Sequence, residues 1–148
     1  RISGTEEQVT VSEKEAYFTD PEEAARFVTE TGVDALAVSI GTAHGLYKGE
    51  PKLDLERLSN IKAKVTAPIV LHGASGVPDD AVRAAVQRGV RKINIDTDLR
   101  QTFTARMREI IAEKPAEYDP RKILGPAREA LQQAVETKMM LFGSSRQA

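Results

Sequence analysis

Two residues draw attention first for the chemistry they could do, His44 and His72, the only histidines among the 148 residues. Each stands after a predicted strand and directly before a glycine, which puts both imidazoles at the same rim of a sheet. Neutral imidazoles on adjacent strand ends can share a Zn²⁺ at about 2.0–2.1 Å, but a catalytic zinc takes three protein ligands and keeps one position open. The chain has no cysteine, so thiolate ligation is excluded and a third ligand would have to be an imidazole or carboxylate. The alternative is that the two rings only satisfy backbone groups at strand ends.

Gly73-Ala74-Ser75-Gly76 and Asn94-Ile95-Asp96-Thr97 fall at the ends of consecutive predicted strands, just ahead of helices. Small residues let backbone N–H groups approach an anion closely, and a helix N-terminus favours negative charge, so phosphate is the natural ligand. The bland alternative is that the glycines only make tight turns. Lys48, in Gly45-Leu46-Tyr47-Lys48-Gly49, would add a cation to the same anion, although most lysines are simply solvated. Glu6 and Glu7 sit in a polar segment without a clear element. They read either as a solvated acidic loop or as a mobile loop that brings a carboxylate base over the site.

The elements that must position these residues repeat. Asp20-Pro21-Glu22-Glu23 starts a helix that runs to Thr31 and stops at Gly32. Val33 to Ile40 reads as a buried strand, and Asp54 to Lys64 as a helix with Leu55, Leu58, Ile61 and Val65 on one apolar face. Pro68 to Leu71 is the next strand and Pro78 to Arg88 its helix. Val90 to Ile95 is the third, followed by Asp96-Thr97-Asp98 as loop and cap. The helix from Leu99 to Glu113 then presents Phe103, Met107, Ile110 and Ile111 as core positions. A last helix is expected from Pro126 to Leu141 behind Gly125. Strands alternating with helices at this spacing predict an α/β fold with a parallel sheet whose ligand sits at the C-terminal ends of the strands. Three strands alone would leave both edges unpaired, which predicts a piece of something larger.

With 21 basic and 22 acidic residues the net charge is −1, so no large field recruits nucleic acid or an anionic membrane. No run approaches the roughly 18 apolar residues that span a bilayer, and a cytoplasmic location is expected.

The ordered set Ala37-Val38-Ser39-Ile40-Gly41-Thr42-Ala43-His44-Gly45-Leu46-Tyr47-Lys48-Gly49, Val70-Leu71-His72-Gly73-Ala74-Ser75-Gly76 and Lys92-Ile93-Asn94-Ile95-Asp96-Thr97-Asp98-Leu99-Arg100 resembles class II fructose-bisphosphate aldolases. The likeness continues through Tyr118-Asp119-Pro120-Arg121-Lys122, Leu124-Gly125-Pro126-Ala127-Arg128-Glu129 and Leu141-Phe142-Gly143-Ser144. It implies the C-terminal portion of a (β/α)8 TIM barrel, with residues 1–148 forming one half of a single domain and the N-terminal half absent. It further implies that His44 and His72 are two of three histidine ligands of a catalytic zinc. The third histidine, with its neighbouring acid, would lie in that absent half.

By the same resemblance Gly45, Gly73, Ala74, Ser75, Asn94, Ile95, Asp96 and Thr97 bind dihydroxyacetone phosphate, with Lys48 as an addition. Glu6, with Glu7 adjacent, falls where the family has its proton-abstracting loop glutamate. Arg121 matches the arginine that meets the distal phosphate, in its own subunit or a neighbouring one. Reversible cleavage of fructose 1,6-bisphosphate, a glycolytic and gluconeogenic step, is the implied activity. The isolated chain would be inactive, and the intact protein a homodimer or homotetramer. The sequence leaves open whether a monovalent cation, Na⁺ or K⁺, assists near Gly45 and Ser75. The rival readings are a tagatose-bisphosphate aldolase and a non-catalytic half-barrel that binds phosphate or a partner. Asp96 favours fructose, because the tagatose pattern has Asn-Val-Ala-Thr where this chain has Asn-Ile-Asp-Thr.

Overall fold

A computed structural model describes residues 18–42, 51–145 and 147. Its element order is α1 (Pro21–Thr31), β1 (Leu36–Ala37), α2 (Leu55–Lys64), β2 (Ile69–Leu71), α3 (Asp79–Gln87), β3 (Val90–Ile93), α4 (Thr97–Glu113) and α5 (Pro120–Leu141). The chain divides into two compact units, residues 1–95 and 96–148.

In the first unit the helices start and stop where local chemistry dictates. Asp20 accepts from the Glu22 and Glu23 backbone N–H groups at 2.9 and 3.0 Å, satisfying donors that the first turn of α1 leaves unpaired. Gly32 ends α1 at φ 64° and donates to the Val28 carbonyl. Asp54 caps α2, accepting from the Arg57 N–H at 2.8 Å and pairing with its guanidinium at 3.0 Å. The apolar face predicted for α2 is present: Leu58 and Ile61 are fully buried and Val65 nearly so, with Leu55 packed at the margin. Removing either fully buried side chain costs roughly 2–5 kcal/mol.

The sheet is parallel, in the order β1-β2-β3. Its three strands are shorter than the expected runs. β1 pairs over two residues instead of the eight from Val33 to Ile40; among the described residues only β2 lies beside it, with the register Leu36 to Ile69 and Ala37 to Val70. Beyond that point Ser39 turns to Thr19, its N–H donating to the Thr19 hydroxyl at 2.8 Å and its carbonyl accepting from the Thr19 N–H at 2.9 Å.

The β2–β3 register slips by one residue. Ile69 faces Val90, but Val70 faces Lys92 and Leu71 faces Ile93. Such a bulge re-aims side chains. Here it lets Val90 and Ile93, three residues apart, both contribute to the core with Ile69 and Leu71. Lys92 and Asn94 are left to share the other face with Val70 and His72.

The second unit is a pair of packed helices, α4 and α5. Lys138 of α5 bonds Asp98 of α4 at 2.7 Å, with both side chains about three-quarters covered. Ile110 is buried as expected, whereas Ile111 is 48% exposed; one partner helix covers only part of the apolar arc of α4. α5 begins at Pro120, six residues before the expected start, and runs through Gly125 and Pro126. Asp119 explains the early start, since it accepts from the Arg121 N–H at 2.9 Å ahead of a first-turn proline. This is the Asp-Pro signal that opens α1. An interior proline costs about 3 kcal/mol of helix stability, so packing must offset Pro126; Ala127 beside it is fully buried.

Candidate functional site

β2 ends at Leu71 and β3 at Ile93, so His72 and Asn94 are the first residues past two paired strands. Parallel pairing continues at this level, because the Asn94 N–H donates to the Leu71 carbonyl at 3.0 Å. The side chains meet: Asn94 Nδ2 lies 3.0 Å from His72 Nε2 and 3.3 Å from Nδ1. Both residues are half-buried. The Asn94 carbonyl oxygen faces the other way and accepts from the Lys92 ammonium.

His72 leads into a tight loop. Gly73 and Gly76 take φ of 63° and 79°, left-handed values that favour glycine. Between them Ala74 and Ser75 are 1% and 7% exposed, and the Val77 N–H closes a turn onto the Ala74 carbonyl at 3.2 Å. Small side chains are what allow this backbone to fold so closely over the core. α3 begins only at Asp79, so two residues, Val77 and Pro78, separate Gly76 from its first turn.

The stems of the neighbouring loop are firmly held. The Asp54 N–H donates to the Ile40 carbonyl at 2.8 Å, and Arg57 lies 5.2 Å from the centre of the Phe18 ring. Gly41, at φ 110°, packs so tightly on the Lys52 carbonyl oxygen that a Cβ there would collide with it.

Of the residues expected to form the site, His72, Gly73, Ala74, Ser75, Asn94 and Ile95 belong to the first unit, and His72 and Asn94 are brought into contact. Asp96, Thr97 and Arg121 belong to the second. Asp96 precedes α4 but makes no side-chain cap; its carboxylate bonds Arg100 at 2.7 Å. Thr97 is the first residue of α4. Arg121 is held by the Asp119 carboxylate through Nε at 3.0 Å and Nη2 at 2.8 Å. That bond holds the Asp119 carboxyl below the usual aspartate range, chiefly through the guanidinium and then through the Arg121 N–H. Glu6, Glu7, His44, Gly45 and Lys48 lie outside the described residues. Lys92 is the polar contact that sequence reading passed over; its signal was the i, i+2 spacing to Asn94 on one strand face.

Among the described residues no group of three histidine, aspartate or glutamate side chains could hold a metal. His72 nevertheless fits a place in a larger donor set. It offers an imidazole, a ligand type that zinc takes, and the ring lone pair that faces the Asn94 NH2 would leave that contact on binding a metal.

Parallel strands whose ends carry an imidazole, an amide and a small-residue turn define an α/β barrel-type protein with its site at the strand C-termini. The family model described as class-II fructose-bisphosphate aldolase matches residues 1–147, and the chain belongs to that family. A fructose-bisphosphate aldolase of Thermus caldophilus is 48% identical over 167 aligned positions, covering 97% of this chain and 55% of that protein. Among solved structures, the YdjI aldolase of Escherichia coli K12 superposes with a TM-score of 0.79 at 38% identity, over 88% of this chain and 48% of that one. Fructose-bisphosphate aldolase of Campylobacter jejuni gives 0.75 at 27% identity, over 86% and 46%. The chain therefore spans about half the length of these relatives. Its three-stranded sheet with flanking helices is part of a TIM barrel.

Proposed function

We propose that residues 1–148 supply the C-terminal half of a class II aldolase that reversibly cleaves fructose 1,6-bisphosphate to dihydroxyacetone phosphate and glyceraldehyde 3-phosphate. The observation that carries this is the contact of His72 with Asn94 on neighbouring strand ends, inside a sequence matched by the family from end to end. His44 and His72 would hold a zinc ion together with a histidine of the other half. Bound there, zinc supplies Lewis-acid polarisation of the ketone.

The remaining roles fall to the chain's own groups. The backbone of Gly73, Ala74 and Ser75, with Gly45 and Lys48, receives the phosphate of the three-carbon ketone. Glu6, or Glu7 beside it, removes the proton from carbon. Asn94 donates its amide N–H to the oxygen that becomes negative as that proton leaves. Ile95, Asp96 and Thr97 join in binding dihydroxyacetone phosphate, and Arg121 takes the distal phosphate. Sugar phosphates are then the partners, the intact protein is a cytoplasmic homo-oligomer, and a monovalent cation near Gly45 and Ser75 is compatible with the donor set. No helix among the described residues is long and apolar enough to cross a membrane.

A tagatose-bisphosphate aldolase is the second reading, disfavoured by the acidic side chain at Asp96. Measuring kcat/KM of the full-length protein on both sugars separates them. Higher kcat/KM for fructose 1,6-bisphosphate is expected; preference for the tagatose epimer would reverse the assignment.

A further inference from the structure

Asn94 can serve as a donor only if its NH2 end, and not its carbonyl, is turned to the rim. The two ends of an amide are nearly the same size, so shape does not choose between them; their hydrogen-bond partners do. On one side is the His72 ring, which can present either an acceptor or a donor according to its tautomer. On the other side is Lys92, whose ammonium has three N–H donors and no acceptor. The Asn94 Oδ1 must therefore face Lys92, and the NH2 must face the rim.

Lys92 is placed for this by the backbone. The bulge after Val90 sets Lys92 opposite Val70, which in turn pairs with Ala37. Along that row β2 and β1 present Val70 and Ala37, and among the described residues no carboxylate lies within ion-pair distance of the ammonium. Its polar contact is Asn94, two residues on along the same face.

We propose that Lys92 is a positioning residue: by holding the Asn94 carbonyl oxygen it fixes the amide NH2 toward the His72 rim as a donor for the substrate oxygen that gains negative charge. The inference rests on the aldolase reading and adds a residue to it. Lys92 touches neither substrate nor metal, and acts only through Asn94.

The test is a double-mutant cycle on fructose 1,6-bisphosphate cleavage by the full-length protein. Lys92→Met is expected to lower kcat on the order of tenfold, the usual scale for a partner that orients a reacting group, with KM within about twofold. Lys92→Arg, again a pure donor, is expected to stay within about threefold of wild type. In an Asn94→Ala background Lys92→Met should add less than about a twofold loss, since coupled residues are not additive. Wild-type kcat in Lys92→Met, or an equal loss with Asn94 already gone, overturns the proposal. If Lys92→Met does not fold, Lys92→Gln replaces it. Glutamine can donate or accept and so permits both amide orientations; a rate equal to that of Lys92→Arg would then be the contrary result.

A readout free of turnover separates this inference from the aldolase reading. In protein labelled with ¹⁵N-asparagine, the side-chain NH2 signals of Asn94 are assigned by their loss in Asn94→Ala. In Lys92→Met, or in Lys92→Gln where that is the variant that folds, they are expected to move toward those of a solvated amide. Unmoved signals overturn the role of Lys92 even in a protein that cleaves the sugar. Signals that move in the variant, when the wild type cleaves no sugar bisphosphate, uphold the hold of Lys92 on Asn94 while removing the aldolase reading.

Discussion

His72 and Asn94 show how much a single contact can carry. The histidine was legible from sequence because an apolar run ended at Leu71 and a glycine followed. Its meeting with Asn94 was not, since it depends on the register of two strands 22 residues apart in the chain, and register is a tertiary property. Asn94→Ala removes the donor proposed for the developing negative charge. By the scale of oxyanion donors it is expected to reduce kcat roughly 10²- to 10³-fold, with thermal stability little changed because the residue is half-buried at a rim. A steady-state comparison of kcat and melting temperature checks this; an unchanged kcat would remove Asn94 from the reaction.

Among the elements, the helix caps and the Gly41 turn hold the rim in place. Gly41→Ala forces an L-residue to φ 110° and drives its Cβ into the Lys52 carbonyl. Backbone strain and overlap together are expected to cost at least about 2 kcal/mol, seen as a lowered denaturant midpoint; a midpoint within error of wild type would contradict the packing described.

The start of α5 gives a pH dependence. Arg121 holds the Asp119 carboxyl below its ordinary range, and the Asp119 N–H does the same first for Glu117, which Lys122 also faces. A carboxyl depressed in the folded state adds stability above its unfolded pKa and loses it as pH falls through the folded value. The α5 N-terminus is thus expected to be intact at neutral pH and to loosen below about pH 4, while Asp119→Asn should flatten that acid limb. Amide exchange at residues 121–123 reports it, and identical acid limbs in both proteins would count against the cap. Sequence reading missed this start because Gly125-Pro126 is the stronger helix punctuation. Asp119-Pro120 had the same form as Asp20-Pro21, and tertiary packing carried the helix through the later proline.

Over the whole molecule, the alternation of strands and helices fixed the class of fold from sequence, while strand lengths and the exposure of Ile111 did not follow. Both depend on what lies beside an element, and a two-residue β1 has only β2 to pair with in the described chain. If residues 1–148 are half of the catalytic unit, the purified chain alone is expected to show no cleavage of fructose 1,6-bisphosphate, and addition of the other half of the barrel should restore it. Turnover by the chain alone would show that the half is sufficient.

In the proposed zinc site the rings of His44 and His72 would face one ion at the rim where Asn94 lies. Anomalous diffraction at the zinc absorption edge from crystals of the full-length protein checks this. A peak is expected at about 2.0–2.1 Å from a nitrogen of each ring. A zinc peak elsewhere, or the two rings at opposite ends of their strands, would contradict it.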